Sequence, residues 1–111
     1  MTREDAIRIG EDNEKLGLEA FCAINEVSAE LARAVRKFPP FHSGHEGYAV
    51  ILEELDELWD EAKTKHQNIA TMRAEAAQVA AMALRFMIDL CPHVCPLHRA
   101  AEHMQKEADG L

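Results

Sequence analysis

The sequence predicts an all-α fold, a helical bundle of three long helices followed by a short C-terminal helix. Two observations carry that prediction. Ala, Leu and Glu are abundant while glycines number five and aromatic residues make up 5% of the chain, a balance that favours helix over sheet. Apolar residues also recur at steps of three and four in each long segment, the spacing of one helical face.

Residues 1–13 are polar and are expected to be irregular, leaving a single domain over residues 14–111. The segment "EKLGLEAFCAINEVSAELARAVRKF" then carries Leu18, Phe21, Ile24, Val27, Leu31 and Val35 at helical spacing. Pro39 and Pro40 stop it, and "PPFHSGHEG" reads as a loop. A second helix starts near His45 and runs to about Lys65, where "KHQN" breaks the pattern and offers Asn68 as an N-cap. The third helix spans Ile69 to Leu90 and is ended by Pro92. After Pro96 a short fourth helix is expected, finishing at Gly110.

At 111 residues the chain has room for one modest core. Its formal charge of −8 repels nucleic acid phosphate and anionic lipid, so neither is an expected partner. No signal-peptide pattern opens the chain and no stretch approaches the roughly 18 apolar residues of a membrane span, so a cytoplasmic protein is expected. The cysteines Cys22, Cys91 and Cys95 are odd in number, and structural disulfides are not expected.

The second helix mixes two chemistries. "EGYAVILEELDELWDEA" holds seven carboxylates in seventeen positions with core-sized apolar residues between them. Ile51, Leu55, Leu58 and Ala62 form the stripe expected to face the core, with Glu54, Glu57 and Glu61 beside it and Glu53, Asp56 and Asp60 further round toward solvent. On the third helix Met72, Glu75, Val79, Met82 and Phe86 share one line, so Glu75 lies inside an apolar stripe, with Gln78 beside it. A carboxylate there needs a partner. If the two helices pack antiparallel, Glu54 and Glu57 face Glu75 and Gln78, and hard oxygens without His or Cys suit Mg²⁺ or Mn²⁺ rather than zinc. Alternatively the acids are a solvated face, and Glu75 is neutralised by Arg73 or Arg85.

"EELDE" at 53–57, followed eighteen residues after Glu57 by "EAAQ" at 75–78, is similar to the signature of the all-α nucleoside triphosphate pyrophosphohydrolases, the MazG-like superfamily. That signature is Glu-Glu-x-x-Glu and then Glu-x-x-Asp, and the resemblance covers about residues 27–90. It implies that Glu54, Glu57 and Glu75 are Mg²⁺ ligands and that Gln78 stands where the family has Asp. It also implies hydrolysis of a nucleoside triphosphate to monophosphate and pyrophosphate, with Glu53 as a spare carboxylate able to accept the proton of the attacking water or to hold a second metal. Gln78 still offers one oxygen but removes a charge, which weakens Mg²⁺ binding and puts catalysis in question. A catalytically inert relative, a helical oligomer kept for protein interaction, is therefore the alternative.

Under that resemblance Lys63 and Arg73, ahead of Lys65 and Arg85, are the candidate phosphate cations, although basic residues on acidic helices usually pair with neighbours. Trp59 and Phe41 are the aromatics available to stack on a base, core packing being the other use of Trp59. The resemblance further implies a homodimer or a dimer of dimers, with the Leu18 to Val35 stripe supplying much of the contact. Finally, "CPHVCPLH" gathers Cys91, His93, Cys95 and His98, but Cys-x₃-Cys is a loose spacing and the prolines fit a plain helix-to-helix turn. Zinc is not expected there.

Overall fold

A computed structural model describes residues 2–92 and Gly110, the side chain of Asn13 excepted. These residues contain four helices and no strand: α1 (Arg3–Glu14), α2 (Gly17–Lys37), α3 (Gly44–Ala62) and α4 (Ile69–Leu90). The protein is all-α. No helix among the described residues is long and apolar enough to cross a membrane. The helix expected after Pro96 lies outside them. Residues 20–92 form one compact unit, and the residues up to Glu19 belong to another.

Residues 1–13, expected to be irregular, carry α1 instead. The Thr2 hydroxyl accepts from the Asp5 amide at 3.2 Å, while the Asp5 carboxylate accepts from Thr2 N and Oγ1 at 2.9 Å each. This reciprocal cap starts a helix that lacks the apolar line periodicity needs. The backbone bond from Thr2 holds the Asp5 carboxyl below its ordinary pKa. After Glu14 the chain turns through Gly17 at φ 83°, a left-handed geometry natural to glycine.

The caps of α3 and α4 are legible residue by residue. Ser43 Oγ accepts from the Glu46 amide at 3.1 Å, and Glu46 reaches back to His42 Nδ1 at 3.0 Å. Asn68 Oδ1 accepts from the Thr71 amide at 3.0 Å, the N-cap its position predicted. Helix α3 ends at Ala62, three residues short of the expected limit, and Gln67 Nε2 covers the Ala62 carbonyl at 2.8 Å.

Helices α3 and α4 pack antiparallel. Gly47 near the start of α3 lies against Phe86 and Leu90 near the end of α4, while Glu57 near the end of α3 meets Glu75 near the start of α4. Gly47 is buried because the Phe86 ring occupies the space a Cβ would take. Helix α2 runs in the same direction as α4, since Glu26 pairs with Arg73, Glu30 with Gln78, and the Ala34 and Phe38 carbonyls with Arg85.

The core of this unit is Ala34, Ala81 and Met82, with Val27, Leu31, Phe41, Val50 and Ile51 packed around it. On α2 Val27 and Leu31 pack against the core, while Leu18, at 82% exposed, Phe21, Ile24 and Val35 face solvent in the single chain. The contact line passes through Ala34, which is buried, instead of Val35. On α3 Ile51, Leu58 and Ala62 of the expected stripe are half-buried, with Ile51 against the core; the departure is Leu55, which is 47% exposed while its neighbour Glu54 is half-buried. Helix α4 keeps its expected line, with Met72, Glu75, Val79, Met82 and Phe86 all buried or half-buried.

Candidate functional site

Two turns of α3 and one of α4 bring three carboxylates together. Glu54 and Glu57 are three residues apart and so share a face of α3; Glu75 projects from the inward line of α4. One carboxylate oxygen from each lies within 4.8 Å of the others. Glu54 and Glu75 are half-buried and Glu57 is exposed. Loss of solvent raises the pKa of Glu54, and the charge of Glu57, a hydrogen bond to it, and the charges of Glu75 and Glu53 raise it further. Glu75 is raised by the same loss of solvent, then by Glu57 and Glu61. Glu54 and Glu75 therefore resist ionisation beside their neighbouring carboxylates, and a cation held among the cluster would relieve that repulsion. Their donor set is three hard carboxylate oxygens with no sulfur or imidazole, which fits Mg²⁺ or Mn²⁺. Among the described residues no other group of His, Cys, Asp and Glu converges in this way.

Of the two arginines, Arg73 and Arg85, that sequence alone offered to neutralise Glu75, Arg85 does other work. Arg85 is 3% exposed and donates to Asp89 at 2.9 Å, to the Ala34 carbonyl at 2.7 Å and to the Phe38 carbonyl at 2.8 Å. Its guanidinium also lies 5.9 Å from the centre of the Phe41 ring. Asp89 in turn accepts from the Phe41 amide at 3.0 Å, so one buried ion pair ties the end of α2 and the loop after it to α4. Arg73 donates from Nε to Glu26 at 2.6 Å.

Gln78 does not complete the carboxylate set directly. Its Nε2 donates to Glu30 of α2 at 2.6 Å, and Arg33 donates to the other oxygen of Glu30. Glu30 is the site residue that sequence reading passed over. Its only local signal was its place beside the Val27, Leu31 and Ala34 line, which had meaning only once α2 was known to meet α4 there.

A cavity of about 440 Å³ opens beside the carboxylates, between α2, the loop at 38–43, α3 and α4. Its acidic end is formed by Glu30, Glu53, Glu54 and Gln78; Val50 and Met82 line its middle, and Phe38, Phe41 and Arg85 its far end. Arg33 and Lys37 border it from α2. Glu53 is exposed and adjoins Glu54, where the sequence placed it.

The expected substrate-binding residues fall elsewhere. Lys63 pairs with Asp60 at 3.1 Å on the surface, and neither it, nor Arg73, nor Trp59 lines the cavity. Trp59 is 61% exposed rather than packed in the core, and it continues an outer stripe of Tyr48, Leu52 and Leu55 on α3. Of the Cys and His cluster, Cys91 is an exposed free thiol, while Cys95 and His98 lie outside the described residues.

Comparison with known protein families, with curated proteins and with solved structures returned no match for this chain.

Proposed function

We propose that the chain is a divalent-metal-dependent nucleoside triphosphate pyrophosphohydrolase of the MazG-like type. The observation that carries this reading is the convergence of Glu54, Glu57 and Glu75 from two antiparallel helices, at the positions the "EELDE" and "EAAQ" motifs single out. In the reaction, water attacks the α-phosphorus, the bridge to the β-phosphate breaks, and monophosphate and pyrophosphate leave. Bound Mg²⁺ or Mn²⁺ supplies charge neutralisation at the phosphates and acidifies a coordinated water. Glu54, Glu57 and Glu75 hold the ion; half-burial of two of them limits competition from bulk water. Glu53, exposed beside Glu54, accepts the proton of the attacking water. Arg33, paired with Glu30, borders the cavity near its acidic end, and Lys37 borders it beside Phe38.

Gln78 favours a second reading, an inert helical oligomer, because its amide is engaged by Glu30. A screen of purified protein against canonical and modified nucleoside triphosphates with Mg²⁺ or Mn²⁺, scored by pyrophosphate release, separates the two. Activity lost in Glu75→Ala supports the enzyme; no release from any nucleotide leaves the interaction module.

The same proposal includes a homodimer or a dimer of dimers. The outer face of α3 presents Tyr48, Leu52, Leu55 and Trp59 at steps of four, three and four, a helical stripe that the single chain leaves in solvent. A second copy with the same stripe is self-complementary across a two-fold axis. Sedimentation analysis of Leu55→Lys tests this: the variant is expected to run as a smaller species than the wild type. A wild-type monomer rejects the assembly.

A further inference from the structure

We infer that the cavity beside the carboxylates receives the nucleoside half of the substrate, its base against Phe38 and Phe41 and its sugar against Gln78 and Glu30. The inference rests on the pyrophosphohydrolase reading and adds to it which residues meet the organic part of the ligand. Trp59 is replaced in that role, and Phe41 keeps it.

The two ends of the cavity differ in chemistry. At one end Glu53 and Glu54 adjoin the carboxylate cluster, where phosphates are tolerated only with a metal ion between. At the other end the lining is aromatic, Phe38 and Phe41, with Arg85 matched by Asp89 and the Glu46 carboxylate held against His42. A neutral planar ring suits that end, and a polyanion suits the other once a cation is present. Gln78 and Arg85 mark the two ends on α4, seven positions apart, so the cavity runs about 10 Å along the helix at 1.5 Å per residue. That length and a volume of about 440 Å³ take a base with its sugar, with the phosphate chain left at the acidic end.

The acidic end of the cavity also explains Gln78. Its amide and the Glu30 carboxylate form a donor and acceptor edge there, where the sugar hydroxyls fall as the phosphate chain runs on to the carboxylate cluster. An amide at this position therefore serves the ligand's organic half, and the three glutamates hold the metal without it. The aromatic end is also formed in advance. The Phe41 amide is bonded to Asp89 and the Phe38 carbonyl to Arg85, so the backbone that carries both rings is held before the ligand arrives.

The test compares two probes by titration calorimetry in Mg²⁺: α,β-imido deoxynucleoside triphosphates of the four bases, which are not cleaved, and inorganic tripolyphosphate, which lacks the nucleoside. Wild type is expected to bind at least one analogue tenfold or more tighter than tripolyphosphate. Val50→Trp fills the cavity, and Phe38→Ala removes part of its aromatic end without threatening the fold, because Phe38 is 63% exposed. Both are expected to lose most of the nucleoside advantage and to keep tripolyphosphate affinity. Glu57→Gln should weaken both probes and remove the Mg²⁺ effect on melting. Full analogue affinity in Phe38→Ala and in folded Val50→Trp overturns the nucleoside site while leaving the metal reading intact. A wild type that prefers no analogue over tripolyphosphate does the same. A wild type that binds neither probe and does not respond to Mg²⁺ overturns both.

Discussion

Gln78 on α4 donates from Nε2 to Glu30 on α2 across 2.6 Å, and Arg33 donates to the second oxygen of the same carboxylate. The neutral amide is what makes this pairing favourable. An aspartate at 78 would instead set a second anion toward a half-buried one.

Gln78→Asp is therefore expected to destabilise the metal-free protein by about 1–3 kcal/mol, the cost of a lost partner and a new repulsion. With Mg²⁺ much of that loss should return, because the extra carboxylate joins the metal ligands. Urea unfolding in chelator and in Mg²⁺ measures both. In the double variant with Glu30→Gln the metal-free penalty should shrink, and equal penalties with and without Glu30 would reject the coupling.

Raised carboxyl pKa values make stability depend on pH in a definite sense. Glu54 and Glu75 bind protons more readily folded than unfolded, so their contribution is greatest in acid and is lost as pH rises through their folded values. Lowering the pH from neutral toward about 5 should raise the melting temperature in chelator, and Mg²⁺ at neutral pH should replace the missing protons. Asp5 works in the opposite sense, its carboxyl being held low by Thr2. The comparison is thus wild type against Glu75→Gln, whose melting temperature should change less over the same interval. Parallel curves for the two proteins would remove Glu75 from the account.

Arg85 and Asp89 are a buried ion pair with every nitrogen contact directed at α2, the following loop or Asp89 itself. Arg85→Ala strands Asp89 and two carbonyls, at a cost of about 3–5 kcal/mol. Asp89→Asn keeps an acceptor and both carbonyl bonds, so it should cost clearly less. Chemical denaturation of the two variants gives the ranking, and the reverse order would refute the clamp.

Gly47→Ala sets helix propensity against packing. Alanine gains up to about 1 kcal/mol in a helix interior. Its Cβ, however, would stand 2.6 Å and 3.0 Å from ring carbons of Phe86 and 3.2 Å from Leu90 Cδ1. Overpacking of this kind costs about 1–3 kcal/mol, so a net loss of stability is expected. A more stable Gly47→Ala would mean that Phe86 moves freely.

Much of the local structure was legible in the chain. Pro39, Asn68 and Pro92 mark helix limits because capping and ring closure act within a few residues. The line Met72, Glu75, Val79, Met82 and Phe86 placed Glu75 among buried neighbours, since a helical repeat constrains residues on the same element. The N-terminal helix was missed for the converse reason: the Thr2 and Asp5 cap starts it without an apolar stripe.

What tertiary structure decided was which of two adjacent lines on a helix faces its neighbour. Periodicity leaves Glu54 and Leu55 equally placed on α3, and it cannot choose between Ala34 and Val35 on α2. On α3 the approach of Phe86 to Gly47 goes with Glu54 half-buried and Leu55 exposed, and on α2 Ala34 is buried while Val35 is exposed. Long polar side chains then join α2 to α4, Gln78 to Glu30 and Arg85 to the Ala34 carbonyl, pairs separated by 48 and 51 residues in the chain. Residue type and spacing determine each helix and its candidate ligands; the contact distance between helices, set by small side chains on one and bulky ones on the other, determines which of those candidates meet.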